Sequence, residues 1–173
     1  RSVPYPMLDR VKSKLNDMID KGVIFQVDRP TEWVAPMVVV PKANNKIRIC
    51  VDYTELNKSV RREVFPMSHV ESSLAQLGNG TLFTKLDANS GFYQIPLAEK
   101  SKLLTTFLTP FGRFAFHRLP FGLSSSPEIY SKIITEVLSG LDGVVVHMDD
   151  VCIYGKNVEE HDRRVCAVLK RMA

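Results

Sequence analysis

Apolar residues recur along the chain with a period that changes from segment to segment. Met7, Leu8, Val11, Leu15, Met18 and Ile19 keep helical spacing between Pro6 and Gly22, which predicts an amphipathic helix. Val34–Val40 and Ile47–Tyr53 are β-rich runs joined through Ala43-Asn44-Asn45, the pattern of a hairpin. Ser68-His69-Val70-Glu71 has the form of a capping box, opening a short helix that stops at Gly78-Asn79-Gly80. Thr81–Leu86 predicts a strand that delivers Asp87 at its end. Leu103–Leu108 and Arg113–Leu119 predict a second hairpin around Pro110-Phe111-Gly112. Ser126-Pro127-Glu128 starts a helix, with proline in its first turn, that runs to Gly140. Val144–Met148 and Val151–Tyr154 flank Asp149-Asp150, a third hairpin with two carboxylates at its turn. A last helix is capped at Asn157–Glu160 and carries Val165, Val168 and Leu169. Strands and hairpins mixed with helices, in no regular βαβ alternation, place the fold in the α+β class.

Composition narrows this only slightly. The 173 residues suffice for one compact unit, divisible into two lobes, that needs neither disulfides nor a structural metal to fold. With 45% hydrophobic and 24% charged residues, the chain is not disordered or collagen-like. Its longest apolar run, Val34–Val40, is too short to span a bilayer, so no membrane partner is expected. Cys50, Cys152 and Cys166 show no paired short spacing, which argues against a disulfide framework or a zinc site and suits a reducing compartment. The net charge of +4 permits a nucleic-acid partner without requiring one. That charge is polarised: residues 1–62 carry 12 basic and 7 acidic side chains, whereas residues 124–173 carry 6 and 8.

The chemistry concentrates in the acidic part. Asp149 and Asp150 sit between Val144-Val145-Val146 and Val151-Cys152-Ile153, and clustered negative charge on apolar flanks calls for a cation. Hard carboxylate oxygens suit magnesium, and two such ions about 4 Å apart serve phosphoryl transfer. Taken alone, an Asp-Asp pair is as readily a solvated turn, and spacing does not bring Asp87 to it.

Five segments in register resemble one family. Leu86-Asp87-Ala88-Asn89-Ser90-Gly91-Phe92, Leu119-Pro120-Phe121-Gly122-Leu123, Ser126-Pro127 and His147-Met148-Asp149-Asp150 are similar to successive motifs of a reverse transcriptase. Arg48-Ile49-Cys50-Val51-Asp52-Tyr53 with Glu55-Leu56-Asn57 resembles the fingers motif upstream, and the region Trp33–Pro41 points to the gypsy type of long-terminal-repeat retrotransposon.

The resemblance implies a right-hand polymerase fold, with fingers at 1–61 and 95–125 and a truncated palm at 62–94 and 126–173. The thumb is expected to lie outside the chain, which ends 23 residues after Asp150. The implied activity is RNA-directed DNA polymerisation, adding deoxynucleotides to a primer 3′-hydroxyl. Asp87, Asp149 and Asp150 are the implied catalytic and metal-binding residues, holding two Mg2+ ions for which Mn2+ substitutes. Lys42, with Lys46 as its rival, and Arg48 are implied to grip the triphosphate. Ser90 and Gly91 would present backbone amides to phosphates. Phe92 stands at the steric-gate position that excludes a 2′-hydroxyl, and Phe121 lines the same pocket. His147, where many retroviral enzymes have Tyr, and Met148 are expected near the primer terminus. Thr54 stands where Arg is frequent, and Ser126 replaces a common Ala. Implied partners are an RNA template, a DNA primer, deoxynucleoside triphosphates and the thumb, ribonuclease H and integrase domains of a parent polyprotein. The implied setting is intracellular, in the cytoplasm or in virus-like particles. A different class of function, an inactive or domesticated nucleic-acid-binding fragment, is the alternative; an RNA-dependent RNA polymerase is disfavoured by Phe92.

Overall fold

The computed structural model describes residues 3–41, 47–62, 77–78 and 80–173. Lys42, Lys46, the Ala43-Asn44-Asn45 turn, the Ser68–Glu71 capping box and His69 lie outside the described residues. In chain order the first elements are α1 (Leu8–Asp20), β1 (Ile24–Gln26), β2 (Ala35–Pro41), β3 (Ile47–Val51), α2 (Thr54–Asn57) and β4 (Leu82–Asp87). There follow α3 (Glu99–Lys102), β5 (Phe107–Thr109), β6 (Gly112–Phe116), α4 (Ser126–Val137), β7 (Val144–His147), β8 (Asp150–Gly155) and α5 (Val158–Met172). They fall into two compact units, residues 1–61 with 92–126 and residues 62–91 with 127–173. The fold is α+β, as the mixed pattern predicts.

The first unit is built on a five-stranded sheet in the order β1-β6-β5-β2-β3. Among the described residues only β2 and β5 pair in parallel; β2 and β3 pair antiparallel as the expected hairpin requires, with Met37 opposite Val51 and Val39 opposite Ile49. Val11, Leu15 and Met18 share one face of α1 and are buried in the same cluster as Ile24, Met37, Ile49, Phe107, Phe114 and Phe116. Tyr53 is 1% exposed within this cluster. Its hydroxyl donates to the Thr105 carbonyl at 2.8 Å, and burial pushes that hydroxyl well above the ordinary tyrosine range.

One expected strand is shorter than its composition suggests. Leu103–Thr105 is a 3₁₀ turn and the strand starts only at Phe107. The hydroxyls of Thr105 and Thr106 donate to the carbonyls of Lys102 and Leu103 at 2.6 Å each, a local bonding that competes with a strand ladder.

The second unit carries an antiparallel sheet in the order β4-β8-β7. Along β8, Val151 and Ile153 are buried while their neighbours are half-buried. Helix α5 packs on this sheet through Val168, which is fully buried, and through His161, whose Nε2 lies 2.9 Å from Thr84 Oγ1. The helix start is capped reciprocally. Asn157 accepts from the Glu160 N–H at 2.9 Å, and the Glu160 carboxylate accepts from the Lys156 N–H at 2.8 Å.

The Lys156 N–H, helped by Arg164, holds the Glu160 carboxyl below its ordinary value of 4.5. A depressed folded pKa stabilises the native state above the unfolded value, and that contribution is lost as pH falls through the folded value. Glu160→Gln is therefore expected to flatten the acid limb of the unfolding curve below about pH 4.5; thermal melts at stepped pH measure it.

Candidate active site

Strand β4 ends on Asp87 and β8 begins on Asp150, and the ladder sets these two residues directly opposite each other. On the other side of β8, His147 closes the β7 ladder opposite the same Asp150. Directly paired residues project to one face, so Asp87, Asp150 and His147 form a row across the sheet. The turn itself is Met148-Asp149, one residue earlier than the Asp149-Asp150 turn expected from the sequence. Asp149 thus occupies the turn while Asp150 is already in the strand.

Like charges directly opposed across a ladder repel. Lys85, two residues before Asp87 and so on its face of β4, answers this by reaching Asp150 at 2.8 Å. The hydrogen bond and charge of Asp150, with Asp87 and Asp149 further off, raise the lysine above its ordinary pKa. Sequence reasoning passed over Lys85, although its i−2 spacing from Asp87 on a strand was the signal. Among the described residues no three His, Cys, Asp or Glu side chains converge closely enough to hold a metal ion by themselves. The donor chemistry nevertheless fits a hard cation that completes its shell with phosphate and water oxygens: three carboxylates, one of which already attracts an ammonium.

Backbone strain gathers beside these carboxylates. Among the described residues, the non-glycine residues with positive φ are Ser90 and Met148, each at 56°. Such a conformation costs an L-residue roughly 1–2 kcal/mol, and here it shapes the turns after Asp87 and before Asp149. Gly91 is buried, and its N–H donates to the Ala88 carbonyl at 3.3 Å, closing the turn on itself. A Cβ on Gly91 would lie 2.7 Å from the Tyr130 hydroxyl oxygen. Tyr130 is buried, and burial followed by the charges of Asp149 and Asp87 raises its pKa. Tyr130 carries no signal in the sequence beyond a helical apolar position. His147 Nδ1 is buried with no hydrogen-bond partner among the described residues, and Met148 is 49% exposed.

The remaining site residues belong to the first unit. Phe92 and Phe121 stack with ring centroids 4.6 Å apart, and Tyr93 meets Phe121 edge-on at 5.3 Å. Burial, then Cys50, pushes the Tyr93 hydroxyl up to about 12, with the positive charge of Arg48 opposing the rise. Arg48 itself is exposed on β3, opposite Val40.

Residues 40–173 match the family described as reverse transcriptase (RNA-dependent DNA polymerase). The chain belongs to the reverse transcriptase family. The match starts at Val40, so α1, β1 and most of β2 precede it, while all three carboxylates lie within it. Among reverse transcriptase relatives, the retrovirus-related Pol polyprotein from transposon opus of Drosophila melanogaster is 31% identical, over 100% of this chain and 18% of its own length. The transposon Tf2-3 polyprotein of Schizosaccharomyces pombe is 31% identical, over 97% of this chain and 13% of its own. The chain thus spans less than a fifth of either relative. Both are transposon polyproteins, in keeping with the gypsy-type resemblance. A foamy viral protease–reverse transcriptase, solved in complex with RNA/DNA hybrid, superposes with a TM-score of 0.88. It is 23% identical over 99% of this chain and 23% of that one, a likeness of fold.

The close approach of Gly91 to Tyr130 ties the turn after Asp87 to α4. Gly91→Ala is expected to destabilise the protein by about 1–3 kcal/mol, the usual cost of overpacking. A lowered urea midpoint measures it; an unchanged midpoint would show that Tyr130 does not hold this turn.

Proposed function

We propose that this chain is the nucleotidyl-transfer core of an RNA-directed DNA polymerase from a retrotransposon polyprotein. The observation that carries the reading is the β4–β8 register, which brings Asp87 opposite Asp150 with Asp149 in the adjoining turn. In this reading the first unit corresponds to the fingers and the second to the palm, except that residues 92–94 and 126, assigned above to the palm, fall in the first unit.

Asp87, Asp149 and Asp150 would hold divalent cations, magnesium by preference and manganese as a substitute. When bound, such ions supply neutralisation of phosphate charge and acidify a coordinated hydroxyl. The chain's own residues do the rest by positioning and electrostatics. Arg48 offers a planar fork of donors to the triphosphate, and Lys42 or Lys46 a point charge. Of the Ser90-Gly91 turn, the exposed Ser90 offers its backbone amide to the phosphates, whereas Gly91, expected to do the same, is buried with its N–H on the Ala88 carbonyl. Phe92 stands under the sugar, where its ring excludes a 2′-hydroxyl. His147 and Met148 adjoin the primer terminus. The primer 3′-oxygen bonds to the α-phosphorus of the incoming deoxynucleotide, the oxygen bridging to the β-phosphorus leaves with pyrophosphate, and the hydroxyl proton passes to solvent. RNA template and DNA primer are the proposed nucleic-acid partners, consistent with a neighbour of the same fold solved on RNA/DNA hybrid.

Asp149→Asn is expected to lower nucleotide incorporation in primer extension by on the order of 1,000-fold, because several kcal/mol of charge stabilisation is lost. Incorporation unchanged in that variant would leave a non-catalytic nucleic-acid-binding role as the reading.

A further inference from the structure

The loop after β6 is held by a side chain to which none of the roles above is given. Asn57, the last residue of α2, aims its amide at two backbone groups of that loop. Its Nδ2 donates to the Gly122 carbonyl at 2.9 Å, and its Oδ1 accepts from the Ser124 N–H at 2.9 Å. The amide therefore uses both its donor and its acceptor face on one short segment. Gly122, inside this clasp, has a φ of +96°, and a Cβ there would lie 2.9 Å from the Val51 carbonyl. On the other flank the buried Pro120 carbonyl accepts from the Ser126 hydroxyl at 2.8 Å.

Phe121 lies between these restraints. It is 44% exposed, so burial does little to fix its ring. The ring is nonetheless stacked on Phe92 at 4.6 Å with an interplanar angle of 29°. On its edge it meets Tyr93, which stacks in turn on Phe116 at 6.1 Å. An exposed ring relies on its backbone as well as on its stacking partners, and Asn57 bonds that backbone immediately after Phe121.

We propose that Asn57 is a positioning residue for sugar discrimination: its clasp on Gly122 and Ser124 fixes Phe121, and the Phe121 ring holds Phe92 where it blocks a 2′-hydroxyl. The inference rests on the reading of Phe92 as the gate. A gate works by position, and a misplacement of about 1 Å costs on the order of 100-fold in rate where positioning carries the effect. Asn57→Asp is nearly isosteric and keeps the acceptor for Ser124, but sets an oxygen against the Gly122 carbonyl where a donor stood.

The test compares kcat/KM for a deoxynucleotide and the matching ribonucleotide in the protein, Asn57→Asp, Phe92→Ala and the double variant. Phe92→Ala is expected to collapse the preference for the deoxynucleotide. Asn57→Asp is expected to lower that preference about tenfold, mainly through a gain for the ribonucleotide. The double variant is expected to match Phe92→Ala alone, because the two act in series. A preference unchanged in Asn57→Asp but collapsed in Phe92→Ala overturns the role of Asn57 and leaves the gate standing. Additive effects overturn it as well, and a preference unchanged in Phe92→Ala overturns both readings. A second readout is independent of turnover. With 4-fluorophenylalanine at position 92, the fluorine resonance is expected to move in Asn57→Asp toward its position in Phe121→Leu. A resonance that stays in place in Asn57→Asp overturns the proposal.

Discussion

Asp87 and Asp150 face each other across an antiparallel ladder, an arrangement that electrostatics opposes and that the rest of the second unit must hold in register. The restraint is apolar and lies on the other face of the sheet. Val151 and Ile153 are buried, and α5 packs on this sheet through the fully buried Val168. A slip of one residue would turn Asp150 toward that core and Val151 toward solvent, so burial and carboxylate register are a single constraint. The reciprocal cap at Asn157 and Glu160 fixes where α5 begins, and through it the contact of His161 with Thr84 on the strand that ends in Asp87.

The charge that this register concentrates is only partly answered from within. Lys85 reaches Asp150 and lies on an exposed strand face, where an ion pair contributes little to stability. Strained turns at Ser90 and Met148 flank the same carboxylates, and Gly91 packs against Tyr130, whose hydroxyl is buried within reach of their charge. Strain kept beside opposed charges is a feature of sites that bind and react rather than of sites that merely stabilise. The first unit supplies a different resource. There a five-stranded sheet encloses the buried Tyr53, and Phe92 and Phe121 stack with Phe121 44% exposed.

Legibility in the sequence followed the strength of local periodicity. The opening helix, the β2–β3 hairpin, the strand into Asp87, the helix from Ser126 and the β7–β8 hairpin all show in apolar spacing and turn residues, because each buries one regular face. β1 and α2 are three and four residues long, too short to show a period. Leu103–Thr105 was misread because β-branched threonines favour strands in general, while here their hydroxyls bond back to the turn. The one-residue shift of the Asp149 turn arises because a positive φ at Met148 is not an expected cost at a methionine. Asn57 falls within the fingers-motif resemblance, but its partners are illegible in the sequence, since they lie 65 and 67 residues further along the chain. The three carboxylates were grouped by family resemblance, and the register then showed how two of them meet.

The claim on which everything else rests is that the ends of β4 and β8 act together as one cation-holding edge. Paramagnetic broadening of amide resonances by substoichiometric Mn2+, with a deoxynucleoside triphosphate present, tests it most directly. Asp87 and Met148 through Asp150 are predicted to broaden together while Leu82 and Gly155, at the far end of the same ladder, stay sharp. Broadening at only one of the two strand ends, or at neither, would contradict it.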